Sequence, residues 1–93
     1  MKADTSIGNV ATGGEPVALV ANPVTNKIYV ANRSANNVSV IDGTNNSTTT
    51  VASGTGPSAV AVNPVTNKIY VANYNGGTVT VIDGVTNLTD TVA

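Results

Sequence analysis

Short apolar stretches recur along the chain and are separated by turns rich in asparagine, glycine and proline. Residues 27–31 alternate isoleucine and valine on one face with tyrosine and alanine on the other, so a strand there carries apolar groups on both faces. The runs 17–21 and 58–62 are almost continuously apolar, which is typical of strands buried on both faces. The threonine-rich segment 47–51 favours an exposed sheet edge. The pattern predicts an all-β protein.

One unit occurs twice in the sequence. The stretch from Asn22 to Asn32 returns letter for letter from Asn63 to Asn73, 41 positions later. A repeat of this length is the mark of solenoids and propellers, in which units bury apolar faces against their neighbours. Tight-turn signals divide each unit into four short strands that grade from small and apolar to polar, as in a propeller blade from axis to rim. We predict two four-stranded antiparallel β-propeller blades, over about 16–52 and 57–93.

A further copy of the last strand of the unit precedes the first blade. The segment of about 5–11 matches 46–52 and 87–93 at the same spacing, so we predict an N-terminal rim strand there. In a ring this strand could complete the last blade of a neighbouring chain, and residues 88–92 compete for the same edge. The local strand has only a short turn to close, which raises its effective concentration. The sequence leaves both pairings open.

Two blades do not make a propeller. A closed propeller takes roughly 4 to 8 blades, and an isolated pair leaves an apolar face open at each end. A cyclic homo-oligomer with head-to-tail contacts would cover both faces. We therefore expect the chain to be its own partner, with three chains forming a ring of six blades or four chains a ring of eight.

The composition argues against most chemistry. Among 93 residues there are four Lys and Arg, five Asp and Glu, and neither histidine nor cysteine, which excludes a serine–histidine triad and thiolate sites. We expect no enzyme, no cofactor and no metal site, since the oxygen-rich turn 42–46 lacks the ligand spacing of a calcium loop. The near-neutral charge makes a nucleic-acid partner improbable. No apolar run is long enough for membrane insertion, and no signal peptide is recognisable.

A few side chains are candidates for a chemical role. Asp42 and Asp83 recur at one place in the unit, but aspartate before glycine usually hydrogen-bonds its own turn. Tyr29 and Tyr70 could be general acids or stacking platforms, but tyrosine in mid-strand more often packs between blades. Glu15 is a lone loop carboxylate, and we expect it to be solvated. No catalytic residue is predicted.

Arg33 and Tyr74 are the candidate ligand-binding residues. They occupy equivalent hairpin tips where the two copies differ most, and arginine and tyrosine are enriched in binding hot spots. We expect these tips to lie on the same face as the loops ending at Pro16 and Pro57. An alternative function is therefore a propeller that binds a protein, glycan or small ligand through this face.

The tetrads Tyr29-Val30-Ala31-Asn32 and Tyr70-Val71-Ala72-Asn73 each follow Asn-Pro-Val-Thr-Asn-Lys-Ile and precede Val-Ile-Asp. This arrangement resembles the YVTN family of β-propeller repeats, with alanine in place of the threonine. The resemblance covers almost the whole chain. It implies the blade fold and a parent protein that is exported or at the cell surface in bacteria or archaea, and it carries no catalytic residue over to this sequence.

Overall fold

The computed structural model describes residues 14–93 and contains two four-stranded antiparallel sheets, each with its strands in sequence order. The first blade consists of β1 (Pro16–Asn22), β2 (Lys27–Asn32), β3 (Asn37–Asp42) and β4 (Thr48–Ala52). The second consists of β5 (Pro57–Asn63), β6 (Lys68–Asn73), β7 (Thr78–Asp83) and β8 (Thr89–Val92). The predicted all-β fold of two blades is confirmed. The predicted rim strand at about 5–11 lies outside the described residues, within which no helix is long and apolar enough to cross a membrane.

The turns of the two blades have the same backbone conformation at equivalent positions. Each blade has left-handed backbone at equivalent turn positions, which are Asn26 and Asn67, Asn36 and Gly77, and Asn46 and Asn87. Asparagine and glycine are the residues that adopt a positive φ at least cost. The hairpins β1–β2 and β5–β6 therefore share one geometry and one register, which makes the two sheets copies of each other.

The two blades bury one apolar cluster between them. In the first blade Tyr29 lies opposite Val40, and in the second Ile69 lies opposite Ile82. We call the face carrying Tyr29 and its copy Tyr70 the front face of a blade, and the face carrying Ile69 the back face. The front face of the first blade packs on the back face of the second, and the cluster comprises Val20, Tyr29, Val38, Val40, Val51, Val60, Val62, Ile69, Val71 and Ile82.

The inner strands depart from the prediction of burial on both faces. In β1 and β5 the exposure alternates, and Leu19 remains 69% exposed. The reason is that, in the part of the chain that the structure describes, no blade packs against the back face of the first blade or the front face of the second. The tyrosines divide in the same way, since Tyr29 is fully buried as predicted whereas Tyr70 is 40% exposed.

The rim strands fit the polar edge that their threonines predict. β4 is exposed except at Val51, and β8 is exposed throughout. β8 pairs with β7 from Val79 opposite Val92 to Ile82 opposite Thr89. Within the single chain the local segment therefore occupies this edge, and the competing segment of about 5–11 lies outside the described residues.

The first prediction concerns Tyr29. We expect Tyr29→Ala to lower the free energy of unfolding by about 3 kcal/mol or more, because it leaves a cavity among side chains from both blades. Chemical denaturation followed by circular dichroism measures this change. Val65→Ala, in the exposed β5–β6 turn, is the control and should change stability by less than about 0.5 kcal/mol. Equal losses in the two variants would contradict the packing described above.

Candidate functional site

The front face of the second blade is a free apolar surface. It forms a shallow groove lined by Ala59, Ala61, Tyr70, Ala72 and Val79, and also by Val60, which packs against the buried cluster on the back face. Its outer residue Val92 is 54% exposed, whereas the copy of that residue in the first blade, Val51, is 6% exposed. The front face of the second blade therefore has an apolar character similar to that of the front face of the first blade, which is buried against the second blade.

The back face of the first blade is partly exposed within residues 14–93, where Leu19 is 69% exposed and Val30 only 4%. A groove there is lined by Pro16, Val17, Ala18, Leu19 and Val30. Leu19 lies opposite Val30, at the positions that Val60 and Val71 occupy in the second blade. Those two residues belong to the buried cluster, so this surface corresponds to one that the chain itself covers, with Leu19 in place of Val60 and Ala21 in place of Val62.

The two outer faces correspond to the two kinds of face that pack together inside the chain. The contact inside the chain joins a front face to a back face, and the exposed faces are one of each kind. The sheets approach each other most closely at β1, β2 and β5, the inner strands, as in the wedge of neighbouring propeller blades.

The loop face carries the sequence-predicted binding residues. The Arg33 N–H donates to the Glu15 carbonyl at 3.0 Å, and the Tyr74 N–H donates to the Gly56 carbonyl at 2.9 Å. The tips thus lie beside the loops that lead into β1 and β5, on one face. Tyr74 is 80% exposed. The structure places both predicted residues at equivalent positions but in different surroundings.

Arg33 is held by an ion pair that the sequence pattern does not reveal. Its Nη2 lies 2.6 Å from Glu15 Oε2, and the Ser34 hydroxyl hydrogen-bonds the other oxygen of the same carboxylate. Glu15 has a positive φ of 48°, at the position where the second blade has Gly56. The left-handed region is unusual for glutamate. The strand register explains the ion pair, because Pro16 pairs with Asn32 and so brings Glu15 and Arg33 together.

The carboxylate of Glu15 is strongly stabilised in its charged form. The hydrogen bond from Arg33, then that from Ser34 and the positive charge of Arg33, lower the pKa of Glu15 from 4.5 to about 2. The same hydrogen bond raises the pKa of Arg33. Because the folded pKa lies below the ordinary value, the stabilising contribution is complete above about pH 4.5 and is lost as the pH falls towards 2.

The aspartates of the repeat are confirmed as turn residues. Asp42 Oδ1 accepts the Thr44 N–H at 2.8 Å, and Asp83 Oδ1 accepts the Val85 N–H at 2.8 Å. The Val85 and Thr86 amides lower the pKa of Asp83. Burial raises the pKa of Tyr29, so its phenol stays neutral. Within residues 14–93 no three acidic, histidine or cysteine side chains come together as a metal site would require.

The second prediction concerns the ion pair on the loop face. In Arg33→Gln the pKa of Glu15 should rise from about 2 towards 4.5, because the largest stabilising hydrogen bond and the positive charge are both lost. An NMR titration of the Glu15 carboxyl carbon measures this shift. Lys27→Gln, at the opposite end of β2, should leave the Glu15 midpoint unchanged. A Glu15 midpoint that stays near 2 without Arg33 would contradict the pairing.

Comparison with known proteins gives the same fold and a family. No protein with a curated description matches the sequence. A chain of the Kuenenia stuttgartiensis hydrazine synthase structure superposes with a TM-score of 0.71 over 89% of this chain and 23% of that chain, at 24% sequence identity. This chain thus spans about a quarter of that one, and at this identity the likeness shows the fold alone. A family model described as "Lactonase, 7-bladed beta-propeller" matches residues 2–91, and the chain therefore belongs to this β-propeller family.

Proposed function

We propose that the chain is a structural propeller module of the YVTN type that assembles with copies of itself into a closed ring without catalysis. Three or four chains would supply six or eight blades. One observation carries the proposal: the two outer faces repeat the residue type at seven of the ten positions of the cluster that the chain buries between its own blades, with Ala61 and Ala21 in place of Val20 and Val62, and Leu19 in place of Val60. Covering such faces is favourable, because the removal of apolar surface from water contributes roughly 25 cal/mol of free energy per Å². The resemblance to YVTN repeats favours an exported or cell-surface setting.

The two faces favour a ring over a symmetric dimer. In a two-fold dimer each face meets itself, so Tyr70 would oppose Tyr70 and the back faces would remain exposed. Head-to-tail contacts use a front and a back face in every interface, and the wedge between blades turns them into a closed ring. In a longer protein, further blades of the same chain would cover these faces in the same way.

The family description names a lactonase, and the residues of this chain favour a scaffold over an enzyme. The sequence has no histidine or cysteine, and the repeated aspartates are engaged by their own turns. Glu15 is neutralised by Arg33. Within residues 14–93 the carboxylates therefore already have structural partners, including Asp90 on the exposed rim strand β8, whose Oδ1 accepts the Thr91 N–H at 3.0 Å.

A second candidate function is binding at the loop face. Tyr74 favours it, because a largely exposed tyrosine at a hairpin tip presents an aromatic face for stacking on a sugar or a peptide. Arg33 would contribute after exchanging its Glu15 partner for an anionic group of the ligand. In a ring the two tips alternate around one opening.

The third prediction tests assembly. Light scattering on a sizing column should give about three or four times the chain mass of 9.3 kDa at micromolar concentration. Leu19→Asp blocks the back face and Tyr70→Asp blocks the front face, so each variant alone should be a single chain. Their equimolar mixture should form a dimer, because one intact front face and one intact back face remain. A wild-type chain that stays single at all concentrations would refute the ring, and an inert mixture would refute the head-to-tail contact.

The fourth prediction separates binding from assembly. Arg33→Ala combined with Tyr74→Ala should leave the native mass unchanged, because neither residue belongs to a blade face. Retention on a panel of immobilised glycans should be lost if the loop face binds sugars. The matched control is Val24→Ala with Val65→Ala, which truncates exposed turns of the two blades away from these tips. Retention unaffected by the tip substitutions would count against a glycan site there.

A further inference from the structure

A pair of asparagine side chains joins the two blades at the end that carries the β1–β2 and β5–β6 turns. Asn22 is fully buried, and its Oδ1 accepts the Val24 N–H at 3.0 Å, which closes its own turn. Its Nδ2 donates to Asn67 Oδ1 of the next blade at 3.1 Å. Asn67 holds the left-handed position of the β5–β6 turn with φ 55°. One side chain thus stabilises its turn and binds the neighbouring blade.

The same two groups recur at the free faces. Asn63 is the copy of Asn22, and its Oδ1 accepts the Val65 N–H at 3.1 Å while its side chain is exposed. Asn26 is the copy of Asn67, has φ 58° and is also exposed. Asn63 therefore presents a donor at the free front face, and Asn26 presents an acceptor at the free back face.

We propose that Asn63 of one chain donates to Asn26 of the next, and that this asparagine clasp sets the order and register of the contact between chains. The inference rests on the proposed ring and names the residues that make its contact specific. Valine, isoleucine and alanine faces attract without direction. A buried asparagine pair, as at single core positions of coiled coils, selects one register because any other leaves polar groups unpaired.

The opposite end of the blades supports this choice of residues. There Asn36 Oδ1 accepts the Gly56 N–H at 2.9 Å across the blade interface. The copies of these positions are Gly77 and Glu15, and glycine has no side chain to repeat the bond. The clasp at the turn end is therefore the interblade side-chain bond that the free faces can reproduce. Two front faces placed together would instead oppose two Asn63 donors.

The fifth prediction tests the clasp with aspartate substitutions that preserve the turns. The carboxylate introduced by Asn63→Asp can still accept the Val65 N–H, and aspartate tolerates the left-handed backbone at position 26. Asn26→Asp alone keeps an acceptor for Asn63, so it should assemble like the wild type. Asn63→Asp with Asn26→Asp places two carboxylates against each other, and the dissociation constant of the contact should rise roughly tenfold or more. Light scattering across a dilution series at pH 7 measures both.

The control is the same pair of changes inside the chain. Asn22→Asp with Asn67→Asp should lower the resistance of each chain to denaturant, whereas the double variant at 63 and 26 should unfold like the wild type at concentrations where both are single chains. An assembled wild type and an equally assembled double variant would overturn the clasp while leaving the ring intact. A wild-type chain that remains single would overturn the ring and, with it, the contact between chains.

Discussion

Every blade of this protein has two apolar faces, and each face must be covered by another blade. Within the chain this condition is met once, where Tyr29 and Val40 pack against Ile69 and Ile82. Within residues 14–93 it is not fully met at the outer faces, where Leu19 is 69% and Tyr70 40% exposed. The buried cluster, the exposure of Leu19 and Tyr70, and the proposed ring all follow from it. Strand pairing fixes the shape of a blade, but the neighbouring blade decides which of its side chains are buried.

The fold is predictable because its signals are local and repeated. Asn-Pro, Thr-Asn and Asp-Gly mark the turns, and the structure puts left-handed asparagine or glycine at equivalent positions in both blades. The threonines of β4 indicate an edge, and the strand is exposed there. The repeat at 41-residue spacing supplies the architecture, since one blade alone has no core of its own.

The site is less predictable, because it depends on contacts between units. Tyr29 and Tyr70 lie in identical local sequences, yet Tyr29 is buried and Tyr70 is 40% exposed. The neighbouring residues in the sequence therefore cannot distinguish them. The sequence predicts that Asn22 opens a turn, but the partner of its Nδ2 is 45 residues away. Glu15 is exposed as a lone loop carboxylate should be, and it nevertheless holds Arg33, whose guanidinium the sequence alone leaves free for a ligand.

The contact inside the chain and the proposed contact between chains are not equivalent, and this difference bears on the order of assembly. The inner contact has the bond from Gly56 to Asn36 in addition to the asparagine pair, and a neutral hydrogen bond contributes about 1 kcal/mol. The outer contact lacks that bond because Gly77 stands in the place of Asn36. It must also overcome the loss of translational freedom when separate chains associate. The pair of blades should therefore fold first as a unit, and ring closure should follow in proportion to concentration, with the chain rather than the single blade as the building block.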